Sequence, residues 1–286
     1  MKENFGALRD SRNYGKIQQM LLKIENLDVS YRGDDGKVVS AARDVSLELE
    51  RGEVLGLVGE SGSGKSSVAL SVPRLLPSPP AFYPKGRILL DGEDVLAMSL
   101  PELRKIRGGR IGVIFQDPMG SLSPLHRIGE QLEEMVLLHG GVSKATAREK
   151  SLEWLAKVRG SSTLSPEAWA RAYPYELSGG MQQRVMIAMA LMLEPDLVVA
   201  DEPTTALDVT VQAQVLKLMK DLHRANGGIL LITHDLGVVS QMATRLAVMK
   251  SGVVVERSDD PEAFFDQPEH PYSKSLVAEA KKTEFT

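Results

Sequence analysis

Val54-Leu55-Gly56-Leu57-Val58 runs directly into Gly59-Glu60-Ser61-Gly62-Ser63-Gly64-Lys65-Ser66-Ser67. The first five residues form an apolar run of strand length. The segment after it, from Gly59 to Ser66, satisfies the whole P-loop pattern, G-x-x-x-x-G-K-[ST]. Glycines let such a turn aim its backbone N–H groups inward at phosphate oxygens, and a helix starting at Lys65 adds the positive end of its dipole. The pattern makes Lys65 the group that reaches the β- and γ-phosphates of ATP and Ser66 a ligand of Mg²⁺. Gly59, Glu60, Ser61, Gly62, Ser63, Gly64, Lys65, Ser66 and Ser67 are therefore the candidate nucleotide contacts. A helix over Lys65–Leu75 is expected. Strand, glycine turn and helix begin an α/β unit.

Outward from this unit the same alternation continues. Strand-like segments precede it at Leu22–Tyr31 and Val38–Leu49, and buried-type strands come after it at Ile111–Phe115, Leu197–Ala200 and Ile229–Thr233. Helical stretches lie between them, so a mainly parallel sheet is expected. From about Ile128 to Ala172 the pattern is helical, around Ile128–Leu138 and Ala145–Val158, between the proline-rich turn at Pro118–Pro124 and Tyr173-Pro174. This reads as a helical insert. The tail from Pro261 to Lys282 reads as short helices around a turn at Gln267–Pro271, and Pro77–Pro80 reads as a loop. No internal repeat is present.

Composition narrows the class. The 286 residues suit one large domain or two modest ones. With 43% apolar and 25% charged residues the chain has the make-up of a soluble globular protein. A net charge of -4 argues against a nucleic-acid partner, which calls for a basic footprint. The absence of cysteine excludes disulfides, zinc–thiolate sites and cysteine-held iron–sulfur clusters. The longest apolar run, Val185 to Leu193, stops at Glu194-Pro195. That is far short of the roughly 20 residues a spanning helix needs. Residues 1–19 lack the apolar centre of a secretory signal and read as a poorly ordered extension, with Met20 as an alternative start. Any membrane role is expected to be peripheral.

Two further motifs carry chemistry. Leu197-Val198-Val199-Ala200-Asp201-Glu202 is an apolar strand ending in two carboxylates. Alone this is a solvated strand end. Beside a P-loop, Asp201 suits Mg²⁺ and Glu202, one step further, suits polarisation of the attacking water. Leu177-Ser178-Gly179-Gly180-Met181-Gln182-Gln183-Arg184 is a further glycine turn before a helix. Ser178 reads either as a plain N-cap or, with Gly179 and Gly180, as a second anion site at a helix N-terminus. Both loops serve one nucleotide only if they lie close or if the second serves a partner chain.

P-loop, LSGGMQQR and LVVADEPT in this order and spacing resemble the ATPase domain of an ABC transporter, over about residues 22–256. The resemblance assigns further positions. Gln116 matches the Q-loop, a sensor of γ-phosphate and Mg²⁺. Ala206-Leu207-Asp208 matches the D-loop, with Asp208 its acid. His234 matches the switch histidine that contacts the γ-phosphate, and Tyr31 sits where the family places an adenine-stacking aromatic. Phe115-Gln116-Asp117-Pro118-Met119 with Ser121-Leu122-Ser123-Pro124, the run Asp201–Gln214, and His270-Pro271-Tyr272-Ser273-Lys274-Ser275-Leu276 resemble the dipeptide, oligopeptide and nickel importers. The last of these is similar to that group's C-terminal HPY motif, which implies no catalytic role. Two departures stand out. Some members carry a cysteine-rich C-terminal cluster, which a chain without cysteine cannot. The stretch Val158–Trp169 is atypical in a region that, in the family, touches the membrane subunits.

The resemblance implies an α/β P-loop core of the ABC ATPase type over residues 20–260. It also implies an N-terminal antiparallel β region, a helical subdomain at about 117–184 and a C-terminal tail at 261–286. It implies an ATP hydrolase using Mg²⁺, paired with a second ATPase subunit, the same chain or a related one. Two transmembrane permease subunits and, indirectly, a solute-binding protein would complete an importer at the cytoplasmic face of the inner membrane. A soluble accessory ATPase of a non-transport complex, such as one in phosphonate breakdown, resembles the same group and stays open on sequence alone. The transported solute is selected by other subunits.

Overall fold

The computed structural model describes residues 19–160, 162–205, 207–222 and 226–283. The expected N-terminal extension, save Gln19, and Ala206 of the D-loop lie outside the described residues.

Two sheets organise the chain. β1 (Met20–Arg32), β2 (Val38–Glu50), β4 (Ala81–Leu90) and the short β5 (Glu93–Asp94) form an antiparallel sheet in the order β2-β1-β4-β5. β3 (Val54–Val58), β6 (Ile111–Ile114), β7 (Leu197–Asp201), β8 (Gly228–Thr233), β9 (Arg245–Lys250) and β10 (Val253–Ser258) form the second, in the order β10-β9-β3-β8-β7-β6. All its neighbours pair parallel except β9 and β10. An α/β core with an N-terminal antiparallel region is thus what the chain builds.

The parallel strands are buried on both faces, as helix-covered parallel sheets are. Side chains alternate along each strand. Leu197 and Val199 of β7 and Leu230 and Ile232 of β8 face the antiparallel sheet and α1 (Lys65–Ser71), with Val68, Ala69 and Val72 between. Val198, Ala200, Ile229 and Leu231 face α7 (Gly179–Leu191) and α8 (Val209–Leu222). A third cluster joins Val58 and Val248 to α9 (Leu236–Met242), α10 (Pro261–Asp266) and α11 (Pro271–Thr283).

Short α2 (Leu100–Ile106) comes after the antiparallel sheet. Between β6 and β7 the chain is helical: α3 (Pro118–Ser121), α4 (Ile128–Gly140), α5 (Lys144–Val158), α6 (Pro166–Arg171) and α7. The caps are local. Ser143 accepts from Thr146 N at the start of α5, and Ser165 from Ala168 N at the start of α6. Apolar residues of these helices, Leu132, Val136, Leu155, Val158 and Trp169 among them, join the core beneath α7.

Two expectations shift. The helix after the P-loop ends at Ser71 rather than Leu75, because Pro73 has no N–H to continue the ladder. β4 is a full strand in a region read only as lying beyond a loop. Its Pro84 and Gly86 hide the pattern, and the register shift against β1 absorbs them. The mainly parallel sheet closes on a hairpin, β9–β10, turned by Ser251 and Gly252 at φ 47° and 86°.

Both tryptophans, Trp154 and Trp169, sit in the helical region and are buried. Tryptophan fluorescence is therefore a probe of that region alone. Trp169→Ala is expected to destabilise it by about 3–5 kcal/mol, the range for losing a large buried aromatic. A urea titration monitored by the remaining Trp154 signal would give the shift in midpoint.

Candidate functional site

The P-loop is held by close backbone approach. A Cβ on Gly59 would lie 2.1 Å from Met249 O, and one on Gly64 2.1 Å from Ala41 O with φ +101°. No side chain fits at either place, so β9 and the start of β2 clamp the loop where β3 ends. Lys65 is 4% exposed. Its Nζ donates to Gly59 O at 2.7 Å and Glu60 O at 2.8 Å, with Ser63 Oγ at 3.4 Å. Burial pushes the Lys65 ammonium down from its ordinary pKa, while Glu202, Asp201 and Glu60 push it back. Ser67 is tied to Tyr31, Oη to Oγ at 3.0 Å, so the tyrosine is half-buried against the first turn of α1.

The carboxylates at the end of β7 point to different partners. Asp201 is 5% exposed and accepts from Ser66 Oγ at 2.9 Å. Burial raises its pKa, the Ser66 bond opposes this, the Glu202 charge adds to it and Lys65 opposes it. Glu202 adopts φ 46°, the left-handed region, while its N–H still donates to Ile232 O of β8 at 2.9 Å. A non-glycine residue held there costs of order 1–3 kcal/mol and is found where surroundings over-determine it. The surroundings of Glu202 do so. Gln116 Nε2 and Thr205 Oγ1 each donate to Glu202 Oε2 at 2.9 Å, and His234 Nδ1 lies 3.3 Å from Oε1.

Gln116, Lys65, Ser66, Asp201, Glu202 and His234 thus come together at one sheet edge. Gln116 is bonded to Glu202, and among the described residues it makes no hydrogen bond to Ser66 or Asp201. Ser178, Gly179 and Gly180 are not bonded to this cluster among the described residues. They open α7, where Ser178 and Gly179 are exposed and the Ser178 side chain makes no cap bond. Asp208 Oδ1 accepts from Val211 N and starts α8.

Two residues that position the site escaped sequence reading. Thr205 holds Glu202 and was legible only as its neighbour in the run after β7. Gln183, 3% exposed, donates from Nε2 to Pro203 O at 2.5 Å and so ties α7 to the turn after Glu202. Its signal was a buried amide on a helix.

Comparison with known proteins identifies the family. The ABC transporter family model matches residues 42–205. The chain is 46% identical over 259 residues to the oligopeptide transport ATP-binding protein OppD of Bacillus subtilis (strain 168), covering 90% of this chain and 71% of that protein. It is 46% identical over 260 residues to the dipeptide transport ATP-binding protein DppD of the same organism, covering 91% and 76%. Its fold is similar to that of the ATP-binding cassette MJ0796, solved as a dimer in a post-hydrolysis state bound to ADP and Pi. The TM-score is 0.72 at 30% identity, over 83% of this chain and 98% of that one. The segment from Ala42 to Thr205, which holds the P-loop, the Gln116 turn, the glycine turn of α7 and the β7 carboxylates, is the part the family model matches, and the chain belongs to the ABC transporter family as an ATP-hydrolysing cassette.

Proposed function

We propose that this cassette energises an importer of peptides or a related small solute, nickel included, by hydrolysing Mg-ATP where β3, β7 and β8 end. The observation that carries the catalytic part is the Glu202 carboxylate, bound by Gln116 and Thr205 and facing His234, beside the Ser66–Asp201 pair. The transport part rests on the OppD and DppD relatives.

The donor set fits Mg²⁺. Ser66 and Asp201 offer hard oxygen donors side by side, and Mg²⁺ sites of this kind keep waters and substrate phosphates as their other ligands. When bound, the ion neutralises charge on the β- and γ-phosphate oxygens. Lys65 exchanges part of its bonding to its own loop for those oxygens. Glu202 orients a water for in-line attack on the γ-phosphorus and accepts its proton. Its carboxylate has about four lone-pair sites, and the contacts to Gln116, Thr205 and His234 leave room for that water. The water oxygen forms the new P–O bond, the bond to the β-phosphate oxygen breaks, and ADP leaves with phosphate. His234 contacts the γ-phosphate from the end of β8, and Gln116 passes its presence to the helical region. Positioning and charge stabilisation do most of the work in such transfers.

Tyr31 stacks on adenine in this reading. Ser178, Gly179 and Gly180 close the site of a second ATPase subunit, identical or related, with Asp208 at the junction. The open space around Gly179 and the free Ser178 hydroxyl suit a ligand brought by a partner. The dimer of MJ0796 supports that pairing. No helix among the described residues is long and apolar enough to cross a membrane. Two permease subunits would supply the spanning part, with a solute-binding protein beyond them and this chain on the cytoplasmic face of the inner membrane. A mostly apolar cavity of about 190 Å³, lined by Leu75, Phe115, Leu122, Met135, Met186 and Met189, lies at the seam of the helical region and offers a permease segment a seat.

Lys65→Ala is expected to abolish turnover and weaken ATP binding about 10–100-fold, the cost of losing charged hydrogen bonds of about 1.5–3 kcal/mol. Equilibrium binding and phosphate release on the purified chain would measure both, and unchanged values would remove the P-loop from the reaction. Glu202→Gln keeps size but loses the charge, so Mg-ATP binding should survive while hydrolysis falls about 10²–10⁴-fold. An ATP-dependent dimer should then accumulate on size-exclusion chromatography. Wild-type turnover in that variant would show that Glu202 is not the base. Tagged protein drawn from membranes should bring down two integral membrane subunits. Recovery of a soluble enzyme complex instead would favour an accessory ATPase.

A further inference from the structure

The His270-Pro271-Tyr272 turn takes no part in ATP hydrolysis itself, yet it touches the P-loop. Tyr272 lies in the first turn of α11 and is 5% exposed. Its hydroxyl accepts from the backbone N–H of Glu60 at 2.9 Å. That N–H belongs to the Gly59–Glu60 peptide, whose carbonyl, Gly59 O, accepts from Lys65 Nζ at 2.7 Å. A peptide group is planar, so fixing its N–H fixes the direction of its C=O. Gly59 at φ +152° brings no side chain to restrain that plane. The hydroxyl of Tyr272 and the ammonium of Lys65 therefore grip the two edges of one peptide.

The tyrosine is itself held firmly. Glu256 of β10 accepts from Glu269 N and His270 N, both at 2.9 Å, and His270 Nδ1 accepts from Tyr272 N at 3.1 Å. Lys250 Nζ stands 4.4 Å from the ring centroid. The ring packs in the cluster that contains Val58, the residue before the P-loop, and Leu236 and Val239 of α9, the helix after His234.

We propose that Tyr272 is a positioning residue for ATP binding: its hydroxyl orients the Gly59–Glu60 peptide and thereby the Lys65 ammonium, so the C-terminal turn sets the cassette's affinity for ATP. The proposal rests on the reading of Gly59–Ser67 as the nucleotide site. Lys65→Ala removes the charge from the transition state, whereas loss of the Tyr272 hydroxyl keeps that charge and loosens only the peptide that aims it before ATP arrives, so the loss falls on binding, which raises KM and leaves kcat in place.

Tyr272→Phe keeps the ring and deletes the acceptor. In the full-length chain it is expected to raise KM for ATP about 3–10-fold, the factor that one hydrogen bond carries, with kcat within about twofold and a melting temperature lowered by about 2–4 °C, as the loss of one bond implies. Leu276→Val, in the same cluster but deleting no hydrogen-bonding group, should lower the melting temperature and leave KM alone. A KM for Tyr272→Phe within twofold of wild type, or an equal rise in Leu276→Val, overturns the positioning role. Lys65→Ala separates the two readings. Loss of ATP binding there with a neutral Tyr272→Phe removes only the tyrosine's role, whereas unaltered ATP binding in Lys65→Ala removes the nucleotide site and the proposal with it. Should Tyr272→Phe not fold, hydrogen exchange on the wild-type chain decides. A Glu60 amide as protected as those of β3 supports the bond, and one exchanging like an open loop overturns it.

Discussion

The parallel register of β3, β6, β7 and β8 is the constraint on which the site depends. Val58 lies opposite Thr233, Asp201 opposite Ile232 and Ile114 opposite Ala200. Four strands therefore end at the same edge, and the residues just past each end must emerge there. Gly59, Gln116, Glu202 and His234 occupy those positions. Ligand sites of open α/β sheets lie at this carboxyl edge for the same reason. The chemistry is assembled by strand pairing, and none of the four groups needs a long loop to reach it.

That edge holds two buried charged groups among exposed ones. Lys65 and Asp201 are each about 5% exposed or less, and the Glu202 charge acts on both. Removing one member of a buried charged set leaves the others unpaired, which costs more than the pair contributes. The loop carbonyls on Lys65 and the hydroxyl on Asp201 are therefore part of the fold's stability as well as of its chemistry. The same constraint explains the strain at Glu202. With its backbone in the left-handed region Glu202 bonds to Gln116 while Asp201 bonds to Ser66, so the adjacent carboxylates do not share a partner.

Much of this was legible in the sequence because the relevant signals are local. Val54–Val58 appears as the strand read from its apolar run, and Leu197–Ala200 and Ile229–Thr233 differ from the observed strands by one residue. The glycine turns and strand-end acids are short-range patterns too. The features that were not legible depend on contacts distant in the chain. β4 hides behind Pro84 and Gly86, whose cost is met by a register shift against β1. Ser178 reads as a helix cap, but its hydroxyl makes no cap bond, and nothing in the local sequence distinguishes a cap that bonds from one that does not. Tyr272 and Glu60 are separated by 212 residues, and only packing around Val58 brings them together.

The helical region is joined to the end of β7 through two amides of different character. Gln116, exposed at the start of that region, bonds to the Glu202 carboxylate. Gln183, buried in α7 at its end, bonds to the Pro203 carbonyl in the turn just beyond. One amide holds the Glu202 side chain and the other holds the backbone next to it. A displacement of the helices relative to the sheet must therefore stretch one of these bonds or move Glu202. Because Glu202 is anchored separately to β8 through Ile232 O, the strained turn has little freedom to move with the helices. The exposed Gln116 bond is the cheaper one to give up, since water can replace it, whereas the buried Gln183 bond has no such substitute. Burial thus makes the Gln116 bond the weaker of the two links and the Gln183 bond the stronger.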